Sequence, residues 1–278
     1  MVQLTPRYVG PAVIDVTSVV SDPSAAVVRQ RDRLADALGE LSSEQWAAPS
    51  RCAGWFVQDV AEHLVSVNRF WIVSVGAGLR GEPTQLLADF DPVAVPAALV
   101  ESARGASPAT TLERLRASNA ELASLLQGAA DSDWAKPAEA PPGHIALGAV
   151  CAHALWDAWV HERDVLLPLG RHQQLQADEV AASLAYAAAL APALYVNARD
   201  PNTGSLAVRA RHPELAFTVA VAGQVTVHPG ADADADAVVD GDAVGLVEAL
   251  SGRAPLPPVD DQHRWLVDGL HRAFDLDG

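Results

Sequence analysis

The sequence predicts an α+β protein: an N-terminal four-helix bundle over residues 1–172, followed by a small α+β domain over residues 173–278. Two observations carry this. Apolar stripes of helical period, separated by Gly- and Pro-rich breaks, recur from about residue 23 to residue 169. After Leu169-Gly170 the texture changes to one Ala-rich helix, then short β-prone runs between turn residues. A chain of 278 residues has room for two modest units, each with its own core.

Residues 1–22 read as extended and loop-like, with Pro6, Gly10 and Pro11. A first helix is predicted over 23–38, with Val27, Val28, Leu34 and Leu38 on its apolar face and Gly39 as a stop. Ser42 to Gln45 form a turn or helix start above Trp46. Gly54 and Trp55 precede a second long helix, 57–76, whose Asp59 and Glu62 suit the positive end of the helix dipole. Its apolar stripe is Val60, Leu64 and Val67, with His63 at the edge. Prolines 83, 92 and 96 break the next stretch, although 96–103 forms one short helix. Leu112, Leu115, Leu122, Leu125 and Leu126 mark a helix over 109–127. Residues 131–143 read as a connector with three prolines, leading into a helix over 148–169.

In the second unit, residues 176–197 are an Ala-rich helix interrupted by Pro192. Strands are predicted over 205–210, 215–222, 224–228 and 238–239, with a tight turn at Gly223. The acidic run 231–237 reads as a solvated loop, because it lacks the glycine and terminal glutamate of a calcium-binding loop. Helices are expected over 242–251 and around 261–274.

The composition, 50% hydrophobic and 19% charged, suits a packed globular chain. A net charge of −16 argues against broad electrostatic binding to nucleic acid or to an anionic membrane. No apolar run approaches the ~20 residues a membrane span needs, and the N-terminus lacks the pattern of a secretory signal. Two cysteines, Cys52 and Cys151, build no disulfide framework. A cytoplasmic protein with reduced thiols is expected.

The chemistry concentrates in GAVCAHALWDAWVHERDVLLPL, residues 148–169. His153, Asp157 and His161 recur every fourth residue and form one stripe of a helix. Two imidazoles and a carboxylate among Leu, Ala, Val and Trp are costly to bury without a partner, and a divalent metal is the simplest one. Asp157 and His161 can reach one ion from a single helix, and His63 could complete the set from a neighbouring helix. His153, one turn earlier, could be a fourth ligand, a group behind the ligands or a substrate contact. The plainer reading is that each histidine is an ordinary hydrogen-bonded side chain; spacing alone does not bring His63 near the others.

Two segments, SRCAGWFVQDVAEHL (50–64) and HALWDAWVHERDVLLPLG (153–170), resemble the mycothiol-dependent maleylpyruvate isomerase family of DinB-like metalloenzymes. The remainder resembles that family's sterol-carrier-protein-like C-terminal domain, with its late Gly252-Arg253. The resemblance implies a DinB-like bundle with His63, Asp157 and His161 as ligands of Zn²⁺ or another divalent metal. It also implies a low-molecular-weight thiol cofactor, mycothiol or a relative, whose metal-bound thiolate is the nucleophile.

The implied reaction is cis–trans isomerisation of a small electrophile, or S-transfer if the adduct is kept. The family commonly has glutamate where this chain has Asp157, which puts substrate specificity in question more than metal binding. Glu162 cannot replace it, because adjacent helical residues point about 100° apart. By the same resemblance Arg253 is a candidate contact for a substrate anion; as a plain side chain it caps the helix that ends at Gly252. Asp164 is expected to orient a side chain or to pair with Arg163 or Arg171. The cysteines and tryptophans are read as core residues. Two other functions fit the sequence: a noncatalytic small-molecule binding or regulatory protein, and a metal-assisted hydrolase.

Overall fold

The computed structural model describes residues 5–20, 22–196 and 202–275. The chain is mixed α+β, with a helical N-terminal part and a sheet-containing C-terminal part. A two-residue strand, β1 (Ile14–Asp15), precedes the first helix, α1 (Ser24–Gly39). The short α2 (Ser43–Trp46) is fixed by a capping box in which the Ser42 hydroxyl and Gln45 amide satisfy each other's backbone amides. The long α3 (Val57–Leu79) starts where the Asp59 carboxylate accepts from the Phe56 amide at 2.9 Å. Then come α4 (Ala94–Ala103) and α5 (Pro108–Gln127), the latter with Ser107 as cap and proline at its first position.

The expected connector over 131–143 contains regular structure. Strands β2 (Pro137–Ala140) and β3 (Gly143–Ala146) form an antiparallel hairpin, with Ala138 opposite Ile145. Pro137 sits at the first strand position, where a missing amide is tolerated. Gly143 has φ +112°, and a Cβ there would lie 2.2 Å from the Arg7 carbonyl oxygen, so only glycine lets the N-terminal segment pass. The hairpin runs directly into α6 (Leu147–Leu166), whose first amides donate to the Lys136 and Trp134 carbonyls at 2.8 and 2.9 Å. Gly170, in the left-handed region at φ +68°, closes the far end, and the Arg171 amide returns to Leu166.

Helices α1, α3, α5 and α6 pack on one another. A buried ionic network ties this group to the next helix, α7 (Ala177–Ala193): Arg33 donates to both Glu162 and Glu179, carboxylates with no solvent exposure. Glu162 is therefore engaged away from the histidine stripe. Helix α7 is buried along most of its length because it is sandwiched between α6 and the sheet. Its run of alanines suits a helix packed on opposite faces.

The C-terminal part contains β4 (Gly204–Arg211), β5 (Leu215–Val221), β6 (Val225–Pro229) and β7 (Ala237–Asp242), followed by α8 (Ala243–Leu250) and α9 (Gly269–Ala273). The sheet order is β1-β6-β5-β4-β7, with β1/β6 and β4/β7 parallel and the other pairs antiparallel. The N-terminal segment, expected to be loop-like, thus supplies an edge strand to the distant sheet, Ile14 pairing with Val225. The expected last helix is a 3-10 turn at Asp261–Leu266 followed by the short α9.

Candidate metal centre and cavity

Packing of α3 on α6 brings His63 against the histidine stripe. His63 Nε2 lies 3.8 Å from Asp157 Oδ1, and His161 Nε2 lies 3.6 Å from the same oxygen. One donor atom from each residue falls within 4.8 Å of the others. The second carboxylate oxygen, Asp157 Oδ2, is buried without a hydrogen-bond partner. No lysine or arginine among the described residues forms an ion pair with Asp157. Three convergent N and O donors around an unsatisfied buried carboxylate fit a divalent cation.

The electrostatics agree. Burial raises the cost of charging Asp157, but the close approach of the His63 ring, with His161 and His153 nearby, outweighs it and holds its pKa well below the ordinary carboxylate range. Burial pushes the His63 pKa down, against the pull of Asp157. Burial also opposes protonation of His161, yet Asp164, Cys52 and Asp157 together raise its pKa well above normal.

The other face of the His161 ring meets a second cluster. His161 Nδ1 is 3.0 Å from Asp164 Oδ2 and 3.6 Å from Cys52 Sγ, and Cys52 Sγ is 3.2 Å from Asp164 Oδ2. Cys52, Asp164 and His161 could by themselves hold an ion. However, the Arg253 guanidinium is already there, donating from Nε and Nη2 to the fully buried Asp164 at 3.0 and 2.8 Å. Arg163 and Arg171, expected as partners of Asp164, pair instead with Glu248 and Glu40. An acceptor at Nδ1 keeps one ring proton on that nitrogen, so loss of the second proton would free the Nε2 lone pair toward Asp157 and His63.

His153 lies one turn before Asp157, with its ring 4.7 Å from that of Trp71 and 5.4 Å from that of Trp156. Its Nδ1 is 2.6 Å from the Tyr186 hydroxyl on α7. Burial raises the Tyr186 pKa and lowers that of His153 to about 4, so both are neutral at pH 7. A buried phenol must donate its proton or lose a hydrogen bond, so Tyr186 donates to Nδ1 and the imidazole proton resides on Nε2. Neither Tyr186 nor Cys52 stood out in the sequence; both take their meaning from residues far away in the chain. Cys151 is buried, its thiol pKa pushed up to about 12 by desolvation, and it does not line the cavity.

A cavity of about 650 Å³ opens onto His63, His153, Asp157 and His161 and also reaches Cys52 and Arg253. Its position is set by Glu139, whose buried carboxylate accepts from Tyr8, Thr84 and the Leu86 and Leu87 amides and so pins the loop before α4. His144 holds the same loop through Thr84. His172, His212, His228 and His263 do not line the cavity. Among the described residues, no helix is long and apolar enough to cross a membrane.

Residues 27–166 match the mycothiol maleylpyruvate isomerase N-terminal domain. Among solved structures, that of the mycothiol-dependent maleylpyruvate isomerase is similar with a TM-score of 0.58 at 15% identity, over 84% of this chain and 95% of that one. A histidine-to-alanine mutant of the same isomerase gives 0.57 at 15% identity, with the same coverage. No curated protein sequence matches.

Proposed function

The chain belongs to the family of the mycothiol maleylpyruvate isomerase N-terminal domain, and from that membership we propose a thiol-dependent isomerase of a small electrophile, with a divalent metal ion held by His63, Asp157 and His161. The observation that carries this reading is the Asp157 carboxylate on the cavity lining, its Oδ1 within 3.8 Å of two histidine nitrogens and its buried Oδ2 without a partner. Mycothiol or a related small thiol is the cofactor the family implies. A metal ion at these residues supplies a Lewis acid that favours the thiolate form of such a thiol.

The chain's own groups do the rest. Asp164, held by Arg253, keeps the His161 proton on Nδ1 and its Nε2 free to ligate. As a carbon–sulfur bond forms at the β carbon of a conjugated carbonyl, the alkene electron pair moves onto the carbonyl oxygen. His153 Nε2–H, fixed by Tyr186, is the neutral donor to that oxygen. Rotation about the resulting single bond follows. Return of the electron pair then breaks the carbon–sulfur bond and gives the trans alkene, with no net change in oxidation state or proton count.

The test is turnover of a cis-enone by the metal-loaded protein with and without thiol, products being identified by mass spectrometry. Thiol-dependent formation of the trans isomer is expected. Accumulation of the thioether would make the protein an S-transferase, and equal turnover without thiol would overturn the reading.

A further inference from the structure

The cavity is much larger than a metal site needs, and its composition away from the ligands is one-sided. Beyond His153 its walls are Phe70 and Trp71 of α3, Leu190 and Leu194 at the end of α7, and Val95 and Leu99 of α4. Val95 and Leu99 are the telling pair. They lie one turn apart on α4, are 38% and 46% exposed, and face the cavity. Apolar side chains left open along one wall are stabilised when an apolar ligand displaces the water over them.

The polar side of the cavity is equally specific. Among the described lining residues Arg253 is the one arginine and there is no lysine. Its hydrogen-bonding edge is already engaged: Nε and Nη2 on Asp164, and Nη1 on the Ser251 carbonyl at 3.3 Å. Turning that edge toward a substrate carboxylate would take from the fully buried Asp164 its two-point partner and leave it only the His161 ring, the Cys52 thiol and Arg51 at 3.6 Å. Ser66 and Ser251 on the lining bond the Glu62 carbonyl and the Trp156 indole; the neutral Nε2–H of His153 beside the apolar wall can donate to a carbonyl oxygen but brings no positive charge to offset the burial of a carboxylate.

We propose that the electrophile this site takes is uncharged, an α,β-unsaturated ketone or aldehyde with a hydrocarbon body lying against α4 and α7, and not a dicarboxylate. The reaction assigned to this electrophile rests on the thiol-dependent reading above; its binding does not.

Two measurements on the full chain separate the two. Binding is read without thiol, by quenching of tryptophan fluorescence, since Trp71 and Trp156 line the cavity. The probes are benzylacetone, an unreactive saturated ketone, and succinate, the corresponding dicarboxylate. Benzylacetone is expected to bind at least about tenfold more tightly, the discrimination that burying one large apolar group supports. Leu99→Glu, at an exposed position that leaves the core intact, is expected to weaken benzylacetone about tenfold or more with unchanged circular dichroism. Equal or tighter binding of succinate, or no effect of Leu99→Glu, overturns the substrate class.

Turnover is then measured with thiol on cis-benzylideneacetone and on maleate. Selective binding of benzylacetone with no thiol-dependent turnover of either compound sinks the reaction and leaves the substrate class standing. A higher kcat/KM on maleate sinks the substrate class and leaves the reaction standing.

Discussion

The two faces of the His161 ring carry similar donors and opposite charge balance. On the Nδ1 side, Asp164 and Cys52 are accompanied by a guanidinium, and every oxygen of the buried carboxylate is engaged. On the Nε2 side, Asp157 and His63 have no such cation, and one carboxylate oxygen has no partner at all. Arg31 acts there through its charge without an ion pair: its buried guanidinium donates to Asn68 and the Ala154 carbonyl, and its Nη1 has no hydrogen-bond partner. The difference teaches which donor cluster is complete as folded and which still requires an ion. A cluster of ligand-type residues is not by itself a metal site; the cluster left without its counter-charge is the better candidate.

The contrast breaks most easily in the metal-free protein. Arg253→Ala strands a fully buried carboxylate and should cost about 3–5 kcal/mol in urea denaturation, toward the lower end because Arg51 lies 3.6 Å from Asp164. Asp157→Asn removes a charge held by histidine rings and not by a guanidinium ion pair, and should cost less, about 1–3 kcal/mol. Equal costs would erase the distinction between the two faces.

Acid tests the uncharged side. His153 titrates near 4 in the fold because burial disfavours its cation, against 6.5 as the ordinary value. The unfolded chain therefore takes up the proton first as pH falls. The stability this group contributes is full above about 6.5 and is lost progressively toward about 4, up to about 3 kcal/mol in all. His153→Gln should flatten that acid limb; an unchanged limb would place the pH sensitivity elsewhere.

Smaller effects sharpen the comparison. Asp164→Asn weakens the hold on the His161 tautomer and should lower zinc affinity about 10–100-fold in calorimetric titration. Tyr186→Phe releases the His153 ring and should lower kcat about tenfold, the loss of one buried hydrogen bond, while zinc content stays the same. A fall in zinc content in that variant would show that His153 belongs to the ligand set.

Part of this was legible in the residues and part was not. The i, i+4 spacing of His153, Asp157 and His161 is local, so a helix is enough to align them. His63 is a candidate third ligand from its residue type, but its proximity to the stripe is implied only by resemblance, since which helices pack together is a tertiary matter. The Asp164–Arg253 pair joins positions 89 residues apart, so nothing in the local pattern signals that the arginine which resemblance made a candidate contact for a substrate anion also holds a buried carboxylate. The β2–β3 hairpin was hidden by Pro137, Pro141 and Pro142, which act as breakers in isolation but occupy a strand start and a turn here. Strand β1 was hidden because two residues carry no period, and its parallel pairing with Val225 is set by the sheet edge it covers.

The most direct test of the account is a zinc titration of the chelator-stripped chain, followed by calorimetry and elemental analysis, beside His63→Ala and His161→Ala. One ion per chain is expected for the wild type, with at least a hundredfold weaker binding in each variant, beyond the roughly 10–100-fold range of groups that only orient ligands. Absence of stoichiometric zinc, or an affinity unchanged by His161→Ala, would contradict the claim that residues 63, 157 and 161 share an ion.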